Sequence, residues 1–180
     1  DKLEPFSVLV REKYNKNPYH NSNHGTDVFH SMYQIFKNSP IITWAKLNSI
    51  DVVSCLIAAL VHDIGHPGFN NNYMINSKTD MAMLYNDRHV LENFHAAEGF
   101  RIISNSKTNI FNKLDDDRLK YLRKRYIQLI ISTDPVLHSR IVCLIKNKLT
   151  SNEVDNGENV KYMVNDSRLY DDQQEILDFL

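Results

Sequence analysis

The stretch LVHDIGHPGFNN at residues 60–71 decides how this chain is read. It opens as the end of an apolar run whose spacing predicts a helix over 47–63, apolar on most sides and therefore central. Gly65, Pro67 and Gly68 then force a turn. His62 and Asp63 stand side by side at the junction. Such a pair at a helix terminus can reach one metal ion together, the imidazole supplying a nitrogen and the carboxylate able to bridge two cations. Taken alone, it reads equally well as an inward-facing His beside a capping Asp.

On the N-terminal side a first helix is predicted over 5–15, and Pro18 breaks it. A second runs from about Asn23 to Asn38, with Val28, Met32, Ile35 and Phe36 spaced for one buried face and Pro40 closing it. At its start stand Tyr19-His20-Asn21, then His24 and Asp27. His20 and His24 are four apart and would share a helix face, one on a metal and the other beside it as an acid. Alone, a surface His pair is the plainer reading.

On the C-terminal side residues 70–77 are Asn-rich, loop-like or shortly helical, and 80–86 read as a brief helix. Asp87 is the predicted N-cap of a helix through Ser104. Within it Glu92 lies in an apolar stretch, where a carboxylate needs a partner such as a metal-bound water. Residues 115–132 give a helix that starts with acids, and its Arg123-Lys124-Arg125 run is expected on a solvated face. Thr133-Asp134 follows and by itself reads as a turn, with Pro135 ending the helix. A further helix is expected over His138–Leu149, and residues 150–168 read as an exposed or flexible loop. No strand-like alternation of useful length occurs, so the fold class is all-α.

The 180 residues suit one domain or a large part of one. Lys plus Arg is 21 against 22 Asp plus Glu, a near-neutral balance that argues against a dedicated nucleic-acid binder. Cys55 and Cys143 sit in apolar runs and are expected as buried free thiols of a reducing compartment. The longest apolar run, Val52 to Val61, is too short to span a bilayer, and no signal peptide opens the chain. Localisation is therefore expected to be cytoplasmic, with a membrane tether elsewhere in a parent protein left open. Asp1 in place of Met, and a helix-like pattern stopping at Leu180, read as an excised fragment. Asn and Lys enrichment resembles protist proteins. His20, His24, His62, Asp63 and His66, without a structural-zinc cysteine pattern, point together to a hydrolytic, water-activating metal site.

At this point the chain resembles the catalytic domain of the class I cyclic nucleotide phosphodiesterases. The resemblance rests on NPYHNSNHGTDV at 17–28, LVHDIGHPGFNN at 60–71, INSKTDMAMLYNDRHVLENFH at 75–95 and STD at 132–134, and covers roughly residues 6–145. It implies a compact multi-helix bundle of the HD-domain type, with residues 1–180 the N-terminal portion of one catalytic domain, incomplete at the C-terminus. It implies hydrolysis of cAMP, cGMP or both to 5′-monophosphates by a hydroxide activated between two divalent metals, zinc and magnesium or manganese. His20 resembles the general acid that protonates the leaving O3′. His24, His62 and Asp63 resemble three of four protein ligands of the zinc, with Asp63 bridging to the second metal. His66, Glu92 and Thr133 are similar to residues that orient waters on that metal, and Tyr19 and Asn71 to residues flanking the substrate pocket. The fourth ligand and the purine-clamping glutamine of the family have no counterpart before Leu180. Gly25 and Gly65 depart from the family's usual Ala and frequent acid. A homodimer is left open. The alternatives are another HD-type nucleotide phosphohydrolase, and a metal or nucleotide sensor that binds without turnover.

Overall fold

Local signals place the helices with small shifts from expectation. The structure, a computed structural model, describes residues 2–153. The expected loop beyond residue 153 and the helix-like pattern near Leu180 lie outside the described residues. Nine helices form among the described residues, with no strand. They are α1 (Leu3–Lys13), α2 (Ser22–Asn38), α3 (Ile41–Trp44), α4 (Ser49–Val61), α5 (Asn71–Asn76), α6 (Asp80–Leu84), α7 (Val90–Ser104), α8 (Asp116–Ile131) and α9 (Pro135–Glu153).

The apolar run expected to be central is so. Helix α4 packs against α8, α2 and α7. Its start is fixed by a capping box in which Asn48 accepts from the Asp51 backbone and the Asp51 carboxylate accepts from the Asn48 N–H. Around α4 the core gathers Phe6 and Val10 from α1, Val61 and Ile64 from the helix end, Ile103 from α7, and Tyr126 and Ile130 from α8. Phe6 and Val10 are one helical turn apart, so α1 buries a single stripe against the bundle.

Several expectations are corrected. Arg125 is not on a solvated face: it is 3% exposed, and its Nε lies 3.2 Å from Asp51 Oδ1. The Tyr121 hydroxyl donates to the same carboxylate at 2.7 Å. The capping carboxylate of α4 thus doubles as the counter-ion of α8, a pairing between residues 74 positions apart that no local pattern announces. Arg123, by contrast, is exposed and lies over the Phe100 ring at 4.1 Å. Helix α7 is capped not by Asp87 but by His89, which adopts a left-handed conformation (φ 43°). Asp87 itself is left-handed (φ 60°), and its N–H returns to the Ala82 carbonyl.

Pro135 opens α9 rather than merely ending α8, because a first-turn residue needs no amide donor. The helix runs through Glu153, so the first part of the expected loop is helical. In α2 the expected face is only half realised: Met32 and Phe36 pack on the core, whereas Ile35 is 46% exposed. Cys55 is buried as expected, but Cys143 is exposed.

The one fully buried residue of α2 is Gly25. A Cβ there would stand 2.5 Å from Tyr14 Oη and 3.0 Å from the Leu60 carbonyl oxygen. The Tyr14 hydroxyl donates to that same carbonyl at 2.9 Å. Glycine therefore lets α2 close on α4 over a tyrosine hydroxyl. Restoring Ala at Gly25 should gain about 1 kcal/mol of helix propensity yet cost a net of about 1–3 kcal/mol through overpacking. Chemical denaturation of Gly25→Ala, Tyr14→Phe and the double variant would show it: removal of the hydroxyl should shrink the Gly25→Ala penalty by about 1 kcal/mol, the scale of one hydrogen bond.

Candidate functional site

Helix α4 ends where the decisive stretch begins. His62 is its C-cap, and its Nδ1 lies 2.9 Å from the Ala59 carbonyl, one turn back. That carbonyl accepts only from a protonated Nδ1, so Nε2 is turned outward as the coordinating atom. Helix α2 brings the partner. Asn21 caps it, accepting from the Asn23 and His24 amides, which sets His24 in the first turn. Its Nε2 lies 3.2 Å from His62 Nε2. Asp63 Oδ2 completes the figure, 3.2 Å from His24 Nε2 and 3.1 Å from His62 Nε2.

Three donor atoms thus form a nearly equilateral triangle. Ligands about 2.0–2.1 Å from one cation stand roughly 3.0 Å apart at octahedral corners and about 3.3 Å apart at tetrahedral ones. The observed edges fall between those limits, so the residues fit a transition-metal ion. Electrostatics agrees. Burial pushes His24 down, and the neighbouring His62 pushes it further. Burial also opposes charge on His62, but the hydrogen bond and charge of Asp63 outweigh it and hold His62 above its ordinary value. Burial would raise Asp63, yet His62, His95 and His20 hold it down to about 2. The carboxylate and the two imidazoles together favour a positive charge among them, which a proton or a metal cation can supply.

A second ring of imidazoles lies beside it. His66 and His95 stack at 5.5 Å, and Asp63, His66 and His95 again bring ligand atoms within 4.8 Å of one another. His95 is 1% exposed, with Nδ1 2.7 Å from the Ile64 carbonyl and Nε2 3.9 Å from Asp63 Oδ1. The turn carrying His66 passes through Gly65 at φ 70°, where a Cβ would meet the Phe94 ring at 2.9 Å. This close approach and left-handed backbone explain glycine at that position. His20 stacks on the other face of the site, its ring parallel to His66 at 3.8 Å. It precedes the Asn21 cap, so His20 and His24 do not share a helix face; their rings stand 6.0 Å apart at 85°.

These side chains border a cavity of about 710 Å³, lined by His20, His62, Asp63, His66, Asn71 and Glu92 together with Thr133 and Asp134. On its far wall Asn71 donates to Glu92 Oε2 at 2.9 Å and to Asp134 Oδ2 at 3.4 Å, and accepts from the Leu91 amide at 2.9 Å. His89 Nδ1 meets the same Asp134 oxygen at 2.7 Å. Burial raises the Glu92 pKa although the Asn71 hydrogen bond opposes this.

A family model described as 3′5′-cyclic nucleotide phosphodiesterase matches residues 19–178. The chain belongs to this family. It is 39% identical over 139 residues to the 3′,5′-cyclic-nucleotide phosphodiesterase regA of Dictyostelium discoideum, an alignment covering 77% of this chain and 17% of that protein. It is 35% identical over 158 residues to the human high affinity cGMP-specific 3′,5′-cyclic phosphodiesterase 9A, covering 88% of this chain and 26% of the relative. The phosphodiesterase domain of the RhoPDE fusion protein of the choanoflagellate Salpingoeca rosetta superposes with a TM-score of 0.76 at 31% identity, over 98% of this chain and 51% of that one. The chain therefore spans about half the length of that solved domain, and less of the curated relatives.

Within this phosphodiesterase-family chain, the structure brings His20, His62, Asp63, His66, Asn71, Glu92 and Thr133 around one cavity, with His24 against His62 and Asp63 outside its lining. Thr133 is exposed, and its hydroxyl donates to the Ile130 carbonyl at 2.7 Å. Tyr19 stands apart: it is 64% exposed, lies outside the cavity lining and packs on the His24 ring at 4.7 Å. Sequence reasoning passed over His89, Asp134 as a charge and His95 as a site residue. For His95 a signal existed, since an imidazole three residues after Glu92 returns to the same helix face. For His89 none did, because its ion pair joins residues 45 apart.

Burial lowers the His95 pKa from 6.5 to about 4. The folded value lies below the unfolded one, so the unfolded chain binds the extra proton between them. Stability of the metal-free chain should therefore rise as pH climbs from about 4 to 6.5, by at most about 3 kcal/mol from this group. Denaturant titrations in chelator should show that slope flattened by His95→Asn, whose amide can still donate to the Ile64 carbonyl. An unchanged slope would refute the assignment.

Proposed function

We propose that this chain supplies most of the metal-binding half of an enzyme that hydrolyses 3′,5′-cyclic nucleotides to 5′-nucleoside monophosphates, and so acts in cyclic nucleotide signalling. The observation that carries the reading is the triangle of His24 Nε2, His62 Nε2 and Asp63 Oδ2, with His20 beside it at the wall of the same cavity. His24, His62 and Asp63 would hold zinc, and Asp63, with its second oxygen toward His95, would also face magnesium or manganese. Bound there, the two cations would lower the pKa of a water to near neutrality and draw charge from the phosphoryl oxygens.

The chain's own groups do the rest. His62 is oriented by the Ala59 carbonyl, so its coordinating nitrogen needs no rearrangement when substrate arrives. Burial first, and then the neighbouring His20, hold His66 below the ordinary histidine value. His20, at the wall of the same cavity, is placed to act as the acid that protonates the O3′ leaving group, an alkoxide otherwise too basic to depart. Glu92, raised by burial, and Asn71 present a carboxyl and an amide to the opposite wall, suited to orienting water. Thr133 exposes a hydroxyl beside them. Tyr19, stacked on His24, would flank the pocket from outside. Both cysteines are free thiols, in keeping with a reducing, cytoplasmic setting. None of the described helices is long and apolar enough to cross a membrane.

In the full-length protein, His62→Ala and Asp63→Ala should each lower kcat/KM for cAMP and cGMP on the order of a thousandfold or more, with loss of bound metal. A substrate panel read by product chromatography tests the class of reaction. Hydrolysis of deoxynucleoside triphosphates in preference to cyclic nucleotides would replace this reading with another HD-type phosphohydrolase. Stoichiometric nucleotide binding without product would replace it with a sensor.

A further inference from the structure

The segment between α1 and α2 holds the site from behind with side-chain amides. Asn15 Nδ2 donates to the Gly65 carbonyl at 3.2 Å and to the His66 carbonyl at 2.9 Å. Asn17 Nδ2 donates to the His66 carbonyl at 2.7 Å and to the His20 carbonyl at 3.2 Å. Asn21, whose oxygen caps α2, uses its own Nδ2 on the Asn17 carbonyl at 2.9 Å.

Asn17 differs from its neighbours in what it joins. Asn15 touches only the turn that follows α4. Asn17 bonds that turn and the His20 backbone with one nitrogen. The two carbonyls belong to the two residues whose rings stack at 3.8 Å with an interplanar angle of 7°. His20 lies outside any helix, so no regular backbone ladder fixes its place. Its side chain contacts Tyr19, which is mostly exposed, and His66, which is 6% exposed. The rigid reference for His20 is therefore the His66 turn, and the tie between the two backbones is the Asn17 amide. A displacement of even 1 Å between an acid and its target is enough to cost large factors in rate.

We propose that Asn17 is a positioning residue that sets the His20 imidazole against the leaving-group oxygen by tying its backbone to the His66 turn. The proposal rests on the assignment of His20 as the acid. Asn17 is not among the residues that line the cavity; it acts through the separation of two backbone segments. The chemistry predicts a selective defect. Loss of the tie impairs proton delivery to a poor leaving group and spares a leaving group that departs without a proton.

The test compares the full-length protein and its Asn17→Asp variant on a 3′,5′-cyclic nucleotide and on its analogue with sulfur at the bridging 3′ position, which departs as a stable thiolate. Aspartate keeps the shape of asparagine and, ionised, has no hydrogen to donate. Asn17→Asp should lower kcat on the natural ester about 10- to 100-fold with KM nearly constant, and lower it less than about threefold on the sulfur analogue. Bound metal, measured by elemental analysis, should be unchanged. Asn17→Ser, which keeps one donor, should fall between and serves if the aspartate variant does not fold. Asn15→Ala should show no discrimination between the two substrates. Equal losses on both, or no loss, in Asn17→Asp and Asn17→Ser would overturn the proposal, provided His20→Ala itself discriminates. If His20→Ala does not discriminate, the acid assignment fails and the role of Asn17 falls with it.

Discussion

The convergence of two imidazole nitrogens and one carboxylate oxygen is the constraint on which this molecule turns. His24, His62 and Asp63 hold their donors 3.1–3.2 Å apart. Hydrophobic packing alone would not bring two imidazoles and a carboxylate together, because each loses water when buried. The fold must therefore press them into place. It does so with the most apolar helix available, capped at its start by a reciprocal Asn48–Asp51 box and clasped near its end by the Tyr14 hydroxyl. Gly25 is the condition for that clasp, because any side chain there would strike the same hydroxyl.

Asparagine does much of the remaining work. Its amide donates and accepts at once without changing charge with pH. Asn15, Asn17 and Asn21 satisfy backbone carbonyls and amides around the His20 and His66 turns. Asn71 does the same for two buried carboxylates across the cavity. Neutral amides fix geometry and leave the local charge to the cation and its ligands. On the far wall His89 pairs with Asp134 and balances one of the two buried carboxylates, while burial keeps the Glu92 pKa raised.

Helical periodicity was enough to expect an all-helical chain and a central helix over 47–63, because burial on most sides leaves a continuous apolar run; the short α3 before it was not foreseen. Motif order was enough to recognise the family. The residues of the triangle were nameable from the same motifs: His62 and Asp63 end that run, and His24 stands at the start of the helix predicted before it. Where local reasoning failed, the winning force acted at long range. Arg125 belongs to a basic run that reads as solvated, yet it is drawn inward by Asp51 from a different helix. Asp87 has the chemistry of a cap, but a run of left-handed residues ending at His89 moved the helix start, and Asp134 lies against the new cap.

By itself, then, the sequence determined which segments are helices, which of them is central, and which residue types are available to bind a cation, because periodicity and ligand chemistry are local properties. Only the tertiary structure decided that the side chains of His24, His62 and Asp63 converge, that His20 lies flat on His66, and that Asn17 joins their backbones. Those are separations between side chains and carbonyls up to about fifty residues apart, and the packing of α2 against α4 sets them, not any pattern along the chain.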